Sequence, residues 1–176
     1  MYSWPPGPWF RVNLVLGPNG QLAGADGSSA SLTSPNDRHI LKLIRSRADV
    51  VIVGAQSIRR EGWHLPPHGT MGVVTRSELP AGCPDPERVV TGSLDEILTL
   101  TTAESHRLSE GGARVVQGLL ERRVVDELCL TMTGANHPRQ LELPEWMTLS
   151  SSERWRVTQT LSDGKNAFTT WRRATP

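Results

Sequence analysis

The sequence predicts one α/β domain, a mostly parallel sheet flanked by helices and finished by an antiparallel hairpin near the C-terminus. Two observations predict it. A well-signalled helix leads, after a short link, into Val50-Val51-Ile52-Val53, whose apolar run suits a strand covered on both faces. Helix followed by buried strand is the building unit of parallel sheets. Near the end of the chain, residues 155–161 and 167–171 flank Ser162-Asp163-Gly164-Lys165-Asn166, a hairpin signal. The 176 residues suffice for one domain with a sizeable core and are short for two.

Taken in order, residues 1–9 are rich in Pro and Trp and read as an N-terminal extension. Residues 10–16 alternate and are rich in β-formers, a first strand. Gly17-Pro18-Asn19-Gly20 breaks it, since Asn-Gly favours a turn with positive φ. Residues 24–31 form a loop of small side chains. In the first helix Ser34 is the N-cap, Pro35 suits the first position, and Asp37 completes a capping-box pattern. Ile40, Leu41, Leu43 and Ile44 give it an apolar face. Residues 72–75 and 88–91 are short strands. Ser93 caps a helix through Leu98, with Glu96 at the reciprocal position. Gly111-Gly112 opens a helix carrying Val115, Val116, Leu119 and Leu120, and residues 128–132 make another strand. The expected total is roughly seven or eight strands with three or four helices.

Composition excludes several classes. Hydrophobic residues are 37% and charged residues 21% of the chain, with a net charge of +1 and Lys and Arg scattered, so no nucleic-acid partner is expected. No apolar run approaches the roughly 20 residues of a membrane span. The first ten residues lack the basic flank and apolar segment of a signal peptide. Cys83 and Cys129 form no CxxC pair and Cys129 reads as a core residue, which fits a reduced cytoplasmic setting. No metal site is expected: His64 and His68 have helical spacing, but Pro66 and Pro67 lie between them. A serine-hydrolase elbow is absent as well.

Three segments could carry chemistry. Val53-Gly54-Ala55-Gln56-Ser57 places a glycine directly after a buried strand, where backbone and ligand can approach, or it is an ordinary strand-to-helix turn with Ser57 as cap. Glu110-Gly111-Gly112-Ala113-Arg114 opens a helix on two glycines, which exposes N–H groups to a pyrophosphate or simply makes a diglycine turn. Val74-Thr75-Arg76-Ser77 offers a hydroxyl and a guanidinium for the 2′-phosphate of NADPH, or a solvated loop charge. The GxGxxG dinucleotide fingerprint is absent.

In order, these segments resemble the reductase domain of the bifunctional riboflavin-biosynthesis deaminase–reductase and, more closely, the stand-alone bacterial pyrimidine reductases. One matching stretch runs from Leu32-Thr33-Ser34-Pro35-Asn36-Asp37-Arg38 through Leu43-Ile44-Arg45-Ser46-Arg47-Ala48-Asp49 to Val53-Gly54-Ala55-Gln56-Ser57. A second joins Glu110-Gly111-Gly112 to Val124-Val125-Asp126-Glu127-Leu128, and residues 168–173 are similar to the closing strand. The resemblance implies a dihydrofolate-reductase-like fold, NADPH as hydride donor, and a homodimer. It implies that Ser31, Thr33, Ser57, Glu61 and Thr75 line the cofactor, with Gly112, Ala113, Arg114 and Val115 at the helix start. Ser29, Arg45, Leu65 and Glu110 would face a ribosylaminopyrimidine phosphate, whose sugar is reduced to a ribityl chain by hydride delivery to C1 of the imine form.

The chain departs from the family pattern in its substrate half. Gly17-Pro18-Asn19-Gly20 stands where family members carry Ser-Leu-Asp-Gly, so Asn19 replaces a carboxylate. Glu61-Gly62-Trp63-His64-Leu65 replaces an Asp-Asp/Asn-Pro-x-Leu block and its following Arg, Ala113 replaces a proline, and the stretch from Thr75 to Glu110 is short. Asn19 and Glu110 are the expected catalytic positions. With Glu110 the nearest alternative acid, weak or absent turnover on the riboflavin precursor is expected, raised by Asn19→Asp if the substrate pocket is otherwise competent. Two other functions fit the same residues: a dihydrofolate or pterin reductase, and a cofactor-binding homologue with little or no turnover.

Overall fold

A computed structural model of the chain describes residues 2–134, 142–147 and 155–174. Their secondary structure runs β1 (Trp9–Leu16), α1 (Pro35–Arg45), β2 (Val50–Gly54), α2 (Ala55–Glu61), β3 (Thr70–Val74), β4 (Val89–Gly92), α3 (Leu94–Leu100), β5 (His106–Ser109), α4 (Ala113–Glu121), β6 (Glu127–Thr133), β7 (Trp155–Ser162) and β8 (Asn166–Arg173). The strands form one sheet in the order β4-β3-β2-β5-β1-β6-β8-β7. Pairings from β4 across to β6 are parallel, and β8 is antiparallel to both β6 and β7. This is the predicted α/β architecture with its C-terminal antiparallel hairpin.

Each face of the sheet carries a core. Phe10, Val12, Leu14 and Leu16 of β1 pack with Val115, Val116, Leu119 and Leu120 of α4. On the other face Val51, Val53, Leu108 and Cys129 pack with Ile44 of α1 and with Ala55 and Ile58 of α2. Arg11 is fully buried on this second face. Its Nε donates to Glu127 Oε2 at 2.6 Å, and its other nitrogens donate to the carbonyls of Tyr2 and Ser3 at 3.2 and 3.1 Å. Arg172 adds a bond to Glu127 Oε1 at 3.0 Å. Residues read as an extension thus supply carbonyls to a buried cation, and Trp9 already belongs to β1.

Four local expectations change. β5 was not predicted from the sequence. Ser57 caps nothing, because α2 begins two residues earlier with Gly54 as N-cap. Ser34 caps α1 by accepting from the Asp37 amide at 3.1 Å, but the Asp37 carboxylate does not complete a box. It is buried and lines the cleft instead. Leu43 points outward at 41% exposure, so the apolar stripe of α1 is narrower than its sequence suggests. The Ser93–Glu96 capping box of α3 is present in both directions, at 3.3 and 2.7 Å. Among the described residues no helix is long and apolar enough to cross a membrane.

Candidate functional site

Parallel strands end in loops on one edge of the sheet, and a strand that returns between two earlier ones opens a crevice there. β5 returns between β2 and β1, and a cleft of about 1460 Å³ lies along these carboxyl ends. Its wall takes Gly54, Ala55 and Ser57 after β2, and Thr75 and Arg76 after β3. After β5 it takes Glu110, Gly111 and Gly112, then Ala113, Arg114 and Val115 of the first turn of α4. Ser29 and Thr33 reach it from the loop before α1, and Glu61 from the end of α2.

Two helices start on this cleft without side-chain caps. The N-caps of α2 and α4 are Gly54 and Gly112, both extended and neither with a side-chain hydrogen bond to the first turn. Backbone amides there meet the cleft directly, with the positive end of the helix dipole behind them. A Cβ on Gly112 would meet nothing within 4 Å, so its face toward the cleft is open. Its φ of −67° is ordinary, and no left-handed strain is involved. The crowded glycine is Gly111, where a Cβ would lie 2.6 Å from Val115 Cβ. Arg76 and Arg114 make no side-chain hydrogen bond or ion pair among the described residues. The Thr75–Ser77 turn is prebuilt: Ser77 N donates to Thr75 Oγ1 at 3.1 Å, and Arg59 Nη2 donates to Ser77 Oγ at 2.9 Å.

The acidic end of the cleft is built differently. Arg45, the last residue of α1, donates through Nε to both carboxylate oxygens of Glu110 at 2.8 and 3.1 Å. Both side chains are largely covered, at 17% and 13% exposure. Burial pushes the Glu110 carboxyl above the ordinary carboxylate range, and the Arg45 cation only partly offsets it. Asp37 lines the same cleft, raised by burial against the pull of the Thr131 hydroxyl. Ser29 donates its amide and hydroxyl to Glu61 Oε1 at 3.0 and 2.8 Å, pinning the loop before α1 onto α2.

Four expected residues lie off the wall. Asn19 is exposed on its turn, with its backbone amide on Gln21 Oε1 at 2.9 Å. Ser31 is exposed and donates to Asp26 Oδ1 at 3.1 Å. Arg45 stands behind Glu110, and Leu65 packs against the second core. Sequence reasoning missed Asn13, Asp37 and Arg59 as cleft residues. A signal existed for Asn13, a polar side chain inside an otherwise buried strand.

No protein-family model matches the chain, and no curated protein matches it in sequence. Solved structures do. A pyrimidine reductase-like protein from Corynebacterium diphtheriae superposes with a TM-score of 0.72 at 19% identity, over 96% of this chain and 93% of that one. The diaminohydroxyphosphoribosylaminopyrimidine deaminase/5-amino-6-(5-phosphoribosylamino)uracil reductase of Thermotoga maritima gives 0.68 at 16% identity, over 96% of this chain and 57% of that one. Dihydrofolate reductase from Enterococcus faecalis, complexed with NADP(H), gives 0.67 at 17% identity, over 95% and 97%. The chain has the dihydrofolate-reductase-like fold, and its structural neighbours include riboflavin-biosynthesis reductases.

Proposed function

We propose that this chain is an NADPH-dependent reductase of the riboflavin-precursor type, acting on a ribosylaminopyrimidine phosphate. The observation that carries the reading is the position of Glu110. A carboxyl held toward its neutral form directly precedes a glycine-opened helix N-terminus on the same cleft. The cofactor fits the residues present. The free face of Gly112 and the uncapped amides of α4 suit a pyrophosphate. Arg76, beside the Thr75–Ser77 turn, suits the 2′-phosphate, and Arg114 adds a second unengaged cation. When bound, that group supplies hydride to the imine carbon.

The chain's own residues handle the proton. As hydride forms the new C–H bond, the C=N π pair becomes a nitrogen lone pair and needs a proton. Glu110, whose burial favours the protonated form, is the acid placed to give one up, and Arg45 stabilises the carboxylate that remains. Asn19, exposed and off the wall, is assigned no proton in this scheme. The same reading includes pairing with a second copy of the chain, which sedimentation velocity checks.

A second reading, reduction of a pterin, is favoured by Asp37. A buried carboxyl on the cleft wall can, when ionised, accept from a ring N–H and the adjacent amino group of a 2-aminopyrimidinone. NADPH oxidation followed separately with a ribosylaminopyrimidine phosphate and with dihydrofolate decides between them. We expect turnover with the first. Turnover with dihydrofolate alone selects the second reading. NADPH binding without oxidation of either leaves a cofactor-binding protein.

A further inference from the structure

One side chain ahead of β1 joins the end of α1 to the start of β5. Trp4 donates its indole N–H to the carbonyl of Ile44, in the last turn of α1, at 3.2 Å. The last four carbonyls of a helix lack partners within it, so a side-chain donor from outside can fix that end. The same indole stacks on His106, the first residue of β5, with ring centroids 4.8 Å apart. The Arg11 guanidinium lies over the indole at 4.4 Å, and the His106 ring meets the Pro5 carbonyl through Nε2 at 3.1 Å.

These two elements carry the two members of the cleft's acid pair. Ile44 is followed directly by Arg45, and Glu110 directly follows β5. Among the described residues both side-chain bonds of Arg45 come from one N–H, shared between the Glu110 oxygens at 2.8 and 3.1 Å. β5 is fixed on both sides by β1 and β2. α1 meets the sheet through side chains, so a small slide of its C-terminal end would part Arg45 from Glu110.

We propose that Trp4 is a positioning residue for Glu110: by clamping the end of α1 to the start of β5, it keeps the Arg45 guanidinium on the carboxyl. Trp4 does not line the cleft and acts through Ile44. The proposal rests on the reductase reading for what Glu110 does, but not for how Glu110 is held. Arg45 favours the ionised carboxyl, so a slacker pair leaves Glu110 holding its proton to higher pH. The other charges that bear on Glu110 are His64, which also favours ionisation, and Glu61, which opposes it.

The test follows the Glu110 carboxyl through a pH titration, by NMR of protein isotope-labelled at glutamate Cδ, its signal assigned by loss in Glu110→Gln. Wild type, Trp4→Phe, Arg45→Met and the double variant are compared, each with His64 and Glu61 in place. Trp4→Phe keeps a ring between His106 and Arg11 and removes the N–H that reaches Ile44. It should raise the Glu110 midpoint part of the way toward that of Arg45→Met. The double variant should titrate like Arg45→Met alone, because Trp4 acts through Arg45. In turnover, the limb of the rate that falls with rising pH should move with the midpoint. An unmoved midpoint in Trp4→Phe, or a double variant shifted by the sum of the two, overturns the proposal. A Trp4→Phe protein that fails to fold overturns it too, since Trp4 then holds the domain rather than the pair. A midpoint that moves as expected without turnover, or with a rate limb that stays in place, supports the positioning role and overturns Glu110 as the acid.

Discussion

α1 and α3 start on serines, whereas α2 and α4 start on glycines. Ser34 and Ser93 fold their hydroxyls back onto the first turn, so the amides they cap are satisfied within the chain. Gly54 and Gly112 have no side chain to do so, and both lie on the cleft. A serine cap contributes to stability, and an open start keeps amides available to a ligand. The contrast separates residues that hold the fold from residues expected to hold an anion.

The largest expected effect tests what lies beside the open start of α4. Glu110→Gln should lower kcat by about 10²–10⁴-fold with NADPH affinity kept. Because the acid works in its neutral form, wild-type rate should fall as pH rises through the raised Glu110 pKa. Glu110→Gln should lack that limb. Arg45→Met, which removes the cation favouring ionisation, should move it to higher pH. Stability has the same sign. The folded state holds this proton to higher pH than the unfolded chain does, so Glu110's contribution fades between the ordinary carboxylate range and the raised value.

Next in size is the response to ligand. NADPH at about 100 times its dissociation constant should stabilise the protein by roughly 2.7 kcal/mol, and NADH at equal concentration by less. Arg76→Ala should narrow that difference. An equal thermal shift with both cofactors would remove the 2′-phosphate assignment.

The two adjacent glycines should then part company. Gly111→Ala must push against the Val115 branch and should cost about 1–3 kcal/mol of stability. Gly112→Val has open space and ordinary φ, so the protein should stay folded and bind NADPH more weakly. Denaturant melts paired with NADPH titrations read both, and the reverse pattern would exchange their roles. The smallest effect belongs to a capped start: Ser34→Ala should cost about 1 kcal/mol with NADPH affinity unchanged.

The architecture was legible because its strongest units advertise themselves: capped α1, the Val-rich β2, the amphipathic α4 and the Asp-Gly hairpin. β5 was not, because His106-Arg107-Leu108-Ser109 offers one aliphatic residue among polar ones. It is a strand because β1 and β2 flank it, and its Arg107 guanidinium lies over the Phe10 ring at 4.8 Å. Polar residues under a helix were misread for a related reason. Asp37 fits a capping-box spacing, and only the packing of α1 over the sheet shows that its side chain is buried at the cleft. The glycine-rich side of the cleft was readable locally, since Gly54, Gly111 and Gly112 act through their own backbone. The acidic side depends on contacts between residues far apart in sequence, such as Arg45 with Glu110.

The place of β1 in the sheet also bears on how the protein is made. β1 leaves the ribosome before the other strands of this sheet, yet both its neighbours, β5 and β6, come from the far half of this sequence. Trp9 waits for His106, and Arg11 for Glu127. At about 5–20 residues per second the first partner follows roughly 5–20 s later. During that interval Phe10, Val12, Leu14 and Leu16 have no sheet to enter, and β1 exposes two unpaired edges. Nascent chains halted before residue 106 should therefore be the species most in need of a chaperone, and released ones the first to aggregate.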